Sequence, residues 1–198
     1  MKKINKILIG TNNPGKFDEI SKLLPKNVEK YSPIDFKILS PKETGKTYED
    51  NSRIKALYYS KKTNLICLSD DSGLEIDLLN GEPGIYSSRW GGPNNNFNVA
   101  IEKVFKIIKK KKKNNKIIKA KFICNLTLCW PNKKKIISVE GIIPGRIIDQ
   151  KKGIKGFGYD PIFVPRGFNY TFGEMSPKLK MSIDHRYKAY NKLKKYFF

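Results

Sequence analysis

Leu65-Ile66-Cys67-Leu68-Ser69-Asp70-Asp71-Ser72-Gly73-Leu74-Glu75-Ile76-Asp77-Leu78 is the stretch on which the fold turns. Its opening is a short continuous apolar run, the pattern of a buried strand. The run ends on the turn-like string Asp70 to Gly73, and Leu74 to Leu78 then alternates like another strand. Two adjacent carboxylates are costly to bury unpaired. They are therefore expected at the strand's exit, where they could hold Mg2+, a cation that takes a few carboxylates together with water and phosphate oxygens. A carboxylate beside that metal could activate water. Glu43 and Glu75 are further acidic candidates, and a simple Asx-capped turn is the alternative.

Upstream, Ile4 to Gly10 reads as a short apolar strand and Thr11-Asn12-Asn13-Pro14-Gly15-Lys16 as a turn. Asn13 can cap a helix whose first position is Pro14. Phe17, Ile20, Leu23 and Leu24 give that helix an apolar stripe, and Pro25 stops it. A strand, a tight turn and a helix N-terminus expose backbone N–H groups and suit an anion. Lys16 opposes the helix dipole and is better explained with an anion beside it. The turn is not a Walker A loop, because Phe17 follows Lys16. Thr47 with Asp50 resembles a capping box opening a helix to about Lys62. Ile54, Leu57, Tyr58 and Lys61 lie on its neighbouring turns, and Lys55 falls near that stripe, where it could snorkel to solvent.

Downstream, Asn98 to Lys109 reads as helix. Ile117 to Trp130 and Lys135 to Ile143 read as an antiparallel pair turned at Pro131-Asn132. Lys109 to Lys113, followed by Asn114-Asn115-Lys116, reads as a solvated surface loop. Gly153 to Gly158 is a glycine-rich loop, and Pro161 to Val164 is short and extended. Glycines on both sides of Phe157 free its ring face for a planar ligand, and Asp160 is restricted by Pro161. Ser176-Pro177 opens a helical turn. Ile183, Tyr187, Tyr190, Leu193 and Phe197 give the stripe of a C-terminal helix that begins beside Lys180, His185 and Arg186. Strands and helices mix with both pairing directions, so the class is α/β with a mixed sheet.

The chain of 198 residues is expected to form one domain, 1–198. The apolar run after Lys6 is too short for a signal peptide, so a cytoplasmic protein without a membrane segment is expected. Cys67, Cys124 and Cys129 match no zinc pattern and read as reduced, buried thiols. The formal net charge is +22. Arginine stands only at Arg53, Arg89, Arg146, Arg166 and Arg186, so 35 of the 40 basic residues are lysines. Lysine, asparagine and isoleucine are what AT-rich codons supply, whereas nucleic-acid readers exploit the arginine fork. Compositional bias is the preferred reading, and a basic nucleic-acid-binding module is the competing one.

Together, T-N-N-P-G-K at 11–16, E-T-G at 43–45, Y-E-D-N-S-R-I-K-A at 48–56, D-D-S-G-L-E-I-D at 70–77, P-G-I-Y-S-S-R-W at 83–90, G-F-G-Y-D-P-I-F at 156–163 and S-P-K-L-K…H-R at 176–186 resemble the inosine triphosphate pyrophosphatase family. The resemblance implies a long central mixed sheet flanked by helices, two lobes with a nucleotide cleft between them, and a homodimer. It implies Mg2+-dependent hydrolysis of inosine and xanthosine triphosphates to monophosphate and pyrophosphate. Carried over, Asp71 is the general base and sits with the metal, aided by Glu43. Thr11, Asn12, Asn13, Lys16 and Lys55 clamp the triphosphate, with Pro14 and Gly15 in the same loop. Ser72 contacts substrate beside the base. Phe157 stacks on the purine, Gly158, Tyr159 and Asp160 shape its pocket, and Lys180, His185 and Arg186 read the base edge. A donor from Arg186 or His185 would favour the 6-keto group over the amino group of adenine. Asp184 departs from the family's usual small polar residue and could pair with His185 or Arg186. A nucleotide-binding regulator without catalysis is a further alternative, against which Asp71, Lys16 and Lys55 count.

Overall fold

The structure, a computed structural model, describes residues 4–111, 117–133 and 135–197. In chain order the described elements are β1 (Lys6–Ile9), α1 (Pro14–Leu23), β2 (Glu29–Tyr31), α2 (Tyr48–Thr63), β3 (Cys67–Ile76), α3 (Phe97–Lys111), β4 (Ile118–Cys129), β5 (Ile136–Ile147), β6 (Phe163–Pro165), α4 (Pro177–Ile183) and α5 (His185–Leu193), with short 3-10 turns between. The strands hydrogen-bond in the order β2-β1-β3-β4-β5-β6. β1 is parallel to β2 and β3, with Leu8 opposite both Tyr31 and Cys67. β5 is antiparallel to β6, with Arg146 opposite Val164. The sheet is therefore mixed and the class α/β, as expected.

The chain divides into two compact units. The first comprises Met1–Asp71, Cys124–Gly141 and His185–Phe198. Its core gathers Ile7, Ile9, Ile20, Leu68, Leu126, Leu128, Tyr190 and Leu193, with a smaller cluster of Leu8, Tyr59 and Cys67. The second comprises Ser72–Ile123 and Ile142–Asp184. Leu74, Ile76, Ala100, Ile101, Val104, Phe122, Phe163 and Phe172 form its core. All three cysteines are free and buried, and burial pushes the Cys67 thiol up to about 12. Among the described residues no helix is long and apolar enough to cross a membrane.

Local chemistry sets several boundaries where the sequence placed them. The Asn13 side chain accepts from the Lys16 N–H, with Pro14 opening α1. Thr47 and Asp50 form the reciprocal capping box of α2. Ser176 caps α4 through the Leu179 N–H.

Four expectations are corrected. First, Asp70 to Gly73 is not a turn, because β3 runs unbroken from Cys67 to Ile76. The two aspartates sit inside a strand and, as neighbours, point to opposite faces. Cationic partners make this burial tolerable. Second, the buried face of α2 is Asn51, Ser52, Lys55, Ala56, Tyr59 and Ser60, whereas Ile54, Leu57 and Tyr58 are half-buried. That face is polar because it meets polar groups: the Ser52 hydroxyl lies 2.7 Å from both Asn125 Oδ1 and Thr127 Oγ1 on β4. Third, the expected C-terminal helix is two helices. Asp184 is extended (φ −72°, ψ 175°), so Ile183 ends α4 while Tyr187, Tyr190 and Leu193 belong to α5. Fourth, Lys109 to Lys111 form the last turn of α3 rather than a loop, where cations meet the negative end of the helix dipole. The rest of the lysine block, 112–116, lies outside the described residues.

Candidate active site

In the first unit, the turn between β1 and α1 carries Thr11 to Lys16. Thr11 is buried, and its Oγ1 accepts from the Asn13 N–H at 3.2 Å. Asn12 is exposed and donates from Nδ2 to Ser40 Oγ at 2.9 Å. Pro14 and Gly15 lie in the opening of α1, whose first turn contains no acidic residue. A helix N-terminus with an ammonium beside it suits an anion.

Lys16 Nζ stands 3.0 Å from Asp70 Oδ2. Asp70 is fully buried, and Arg186 Nε lies 3.9 Å from the same oxygen. Burial opposes ionisation of Asp70, but Lys16, Arg186 and Lys55 outweigh it and hold its carboxyl well below the usual carboxylate range. Arg186 NH1 in turn donates to Glu19 Oε2 at 2.8 Å and lies 3.2 Å from His185 Nε2. Arg186 is thus set among carboxylates and is 3% exposed.

Asp71 faces other partners. Lys55 Nζ lies 3.6 Å from its Oδ1 and hydrogen-bonds Glu43 Oε1 at 2.5 Å. Asn51 Nδ2 donates to Asp71 Oδ2 at 3.2 Å. Lys55 does not snorkel, because it is buried. Burial favours its neutral form, yet Asp71, Asp70 and Glu43 prevail and raise its pKa. The Asp71 carboxyl is instead pushed up, by burial first, with Glu43 and Asp70 adding and Lys55 and Lys16 opposing. Asp71 therefore holds a proton more readily than Asp70.

Glu43 and Asp71 are two oxygen donors already sharing one cation, Lys55. Among the described residues no group of three or more His, Cys, Asp or Glu could hold a metal. Two carboxylates without nitrogen or sulfur ligands fit a hard cation that keeps waters and takes substrate oxygens, which is the habit of Mg2+.

In the second unit, Phe157 sits between Gly156 (φ +75°) and Gly158 (φ +68°). Gly156 must be glycine: a Cβ there would lie 2.0 Å from Asp160 Oδ2. That oxygen accepts from the Phe157 N–H at 2.8 Å and pairs with Lys180 Nζ at 2.5 Å. The Lys180 ammonium lies 5.1 Å from the Phe157 ring centroid, a cation–π distance. The Phe157 ring is half-buried, while Asp160 and Lys180 are buried. Tyr159 donates to the Ser87 carbonyl at 2.8 Å and packs edge-on against Phe97. Ser72 is half-buried in β3, directly after Asp71.

The structure thus gathers Lys16, Glu43, Lys55, Asp71 and Arg186 in one unit, and Phe157, Tyr159, Asp160 and Lys180 in the other. Lys180 and the His185-Arg186 pair, read together in the sequence, belong to different units. Asp70 as a partner of Lys16, Glu19 as a partner of Arg186, and Asn51 were not singled out. The available signal was polarity on buried faces: Glu19 beside Ile20 on α1, and Asn51 four residues before Lys55 on α2.

The family model of the Ham1 family matches residues 7–196. A dITP/XTP pyrophosphatase of Caulobacter vibrioides is 39% identical over 189 residues, covering 96% of each chain. One from Methylacidiphilum infernorum is 40% identical, covering 98% of this chain and 95% of its own. Among solved structures, a HAM1 protein from Coxiella burnetii superposes with a TM-score of 0.86 at 32% identity, covering 97% of this chain and 98% of its own.

Proposed function

The chain belongs to the Ham1 family, and on that footing we propose that it hydrolyses ITP, dITP and XTP to the monophosphate and pyrophosphate. The observation that carries the reading is Asp71: a buried carboxylate, with its affinity for protons raised, standing beside Lys55 and Glu43. Its likeness at full length to dITP/XTP pyrophosphatases supplies the substrate class.

In this reading Asp71 takes the proton of the attacking water. A general base contributes about 10^2–10^4-fold. The α-phosphorus is attacked and pyrophosphate leaves, so charge accumulates on the phosphate oxygens. Lys16, Lys55 and the N–H groups of Asn12 and Gly15 neutralise it, with Thr11 and Asn13 fixing the loop. Asp71 and Glu43 would hold Mg2+, which supplies Lewis-acid neutralisation at the phosphate oxygens when bound. Phe157 stacks on the purine, Asp160 and Gly158 fix its loop, and Ser72 contacts substrate next to the base. Lys180, His185 and Arg186 are buried donors. A donor kept from water favours a 6-keto acceptor and leaves a 6-amino group unpaired. The protein acts as a homodimer in the cytoplasm, and its positive charge reflects codon bias rather than a nucleic-acid partner.

The test is pyrophosphate release with Mg2+ from ITP, dITP, XTP, GTP and ATP in parallel. Strong preference for the first three is expected. Equal turnover of ATP would refute the keto-reading pocket, and release from none would refute the reaction.

A further inference from the structure

The E-T-G string at 43–45 contributes Glu43 to the site, and its Gly45 end is held separately from the Lys55–Glu43 pair. Gly45 lies in irregular backbone before α2. Its N–H donates to Asn51 Oδ1 at 2.8 Å. An N–H can only donate, so this contact fixes the orientation of the Asn51 amide and turns its Nδ2 outward. Nδ2 is the group that donates to Asp71 Oδ2 at 3.2 Å. One side chain, with no exposed surface, therefore joins the segment of Glu43 to the carboxylate of Asp71.

Two further observations show that the joint is built closely. A Cβ on Gly45 would lie 2.4 Å from Asp50 Cβ and 2.7 Å from Asn51 Oδ1, so only glycine allows this approach. The next residue, Ser52, is fixed in turn to Asn125 and Thr127 of β4. The part of α2 that presents Asn51 and Lys55 is thus anchored to the sheet and cannot turn to follow a loop that drifts.

From this geometry we infer that Asn51 is a positioning residue: it ties the Glu43 segment to Asp71 and sets the spacing of the two carboxylates for a divalent cation. The inference rests on the proposed reaction for its purpose, but its geometry stands without it. Groups that orient metal-binding carboxylates are worth about 10–100-fold in metal affinity or activity.

The experiment is a calorimetric titration of the whole chain with Mg2+ in the absence of nucleotide, on wild type, Asn51→Ala, Asn51→Asp and Gly45→Ala. Thermal melts and kcat and KM for ITP accompany it. Asn51→Ala and Gly45→Ala are expected to weaken Mg2+ binding about 10-fold or more and to lower kcat with little change in KM. Asn51→Asp keeps the acceptor for Gly45 and replaces the donor to Asp71 with negative charge. It should bind Mg2+ at least as tightly as wild type while still losing kcat. A merely structural residue would not split the two variants this way. Mg2+ affinity unchanged in Asn51→Ala and Gly45→Ala, with only melting temperature lowered, overturns the inference, as does a wild type that binds no Mg2+. If Asn51→Ala does not fold, the opposite shifts expected of Gly45→Ala and Asn51→Asp decide alone. Absence of turnover by the wild type would refute the proposed reaction, while the titration would still test the tether.

Discussion

Lys55 in the first unit and Lys180 in the second are both buried lysines set against aspartates, and their surroundings differ. Lys180 pairs with Asp160, whose Oδ2 also accepts from the Phe157 N–H. That pair bears on the shape of the Phe157 loop. Lys55 stands among Glu43, Asp71 and the charge of Asp70. Burial first raises the proton affinity of Asp71, and Glu43 and Asp70 add to it against Lys55 and Lys16. The same pair of residue types thus stands in two different electrostatic settings.

The largest effect that separates the two regions should come from Asp71→Asn. Turnover is expected to fall by about 10^3-fold, within the range of a lost general base, with the thermal melt essentially unchanged. Turnover near wild type would remove Asp71 from the chemistry.

Replacing each lysine sharpens the contrast further. Breaking a buried ion pair from one side costs about 3–5 kcal/mol. Lys180→Met should lose stability on that scale in urea melts whether or not Mg2+ is present. Lys55→Met should lose comparable stability in metal-free buffer and regain part of it in millimolar Mg2+. Equal recovery in both variants, or in neither, would erase the distinction.

The smallest effect belongs to the aromatic loop. Phe157→Ala removes a half-buried ring and should leave the melt nearly unchanged. Base stacking is worth about 1–3 kcal/mol, so the loss should appear in the KM for ITP. An unchanged KM would make Phe157 a packing residue.

How much of this was legible depends on the range over which the cause acts. The Asn13 cap, the Thr47 box and Ser176-Pro177 are decided within three residues, and each stands where the sequence placed it. Asp70-Asp71-Ser72-Gly73 has the composition of a turn, and local propensity reads it so. It is strand because Lys16 and Arg186, 54 residues before and 116 after Asp70 by numbering, supply the charge that allows burial. The face of α2 was misread for the same reason: Asn51, Ser52 and Lys55 look like solvent-side residues until Asp71 and Asn125 are placed against them. The pairing of Arg186 with Glu19 spans 167 positions and leaves no local trace. The candidate side chains themselves could be named from motif strings, but their partners could not.

In the proposed reaction Asp71 directs water to the α-phosphorus. Hydrolysis of ITP in water enriched in oxygen-18, followed by 31P NMR of the products, tests it most directly. The expected products are labelled inosine monophosphate and unlabelled pyrophosphate. Label in the pyrophosphate, or orthophosphate with inosine diphosphate as the products, would contradict it.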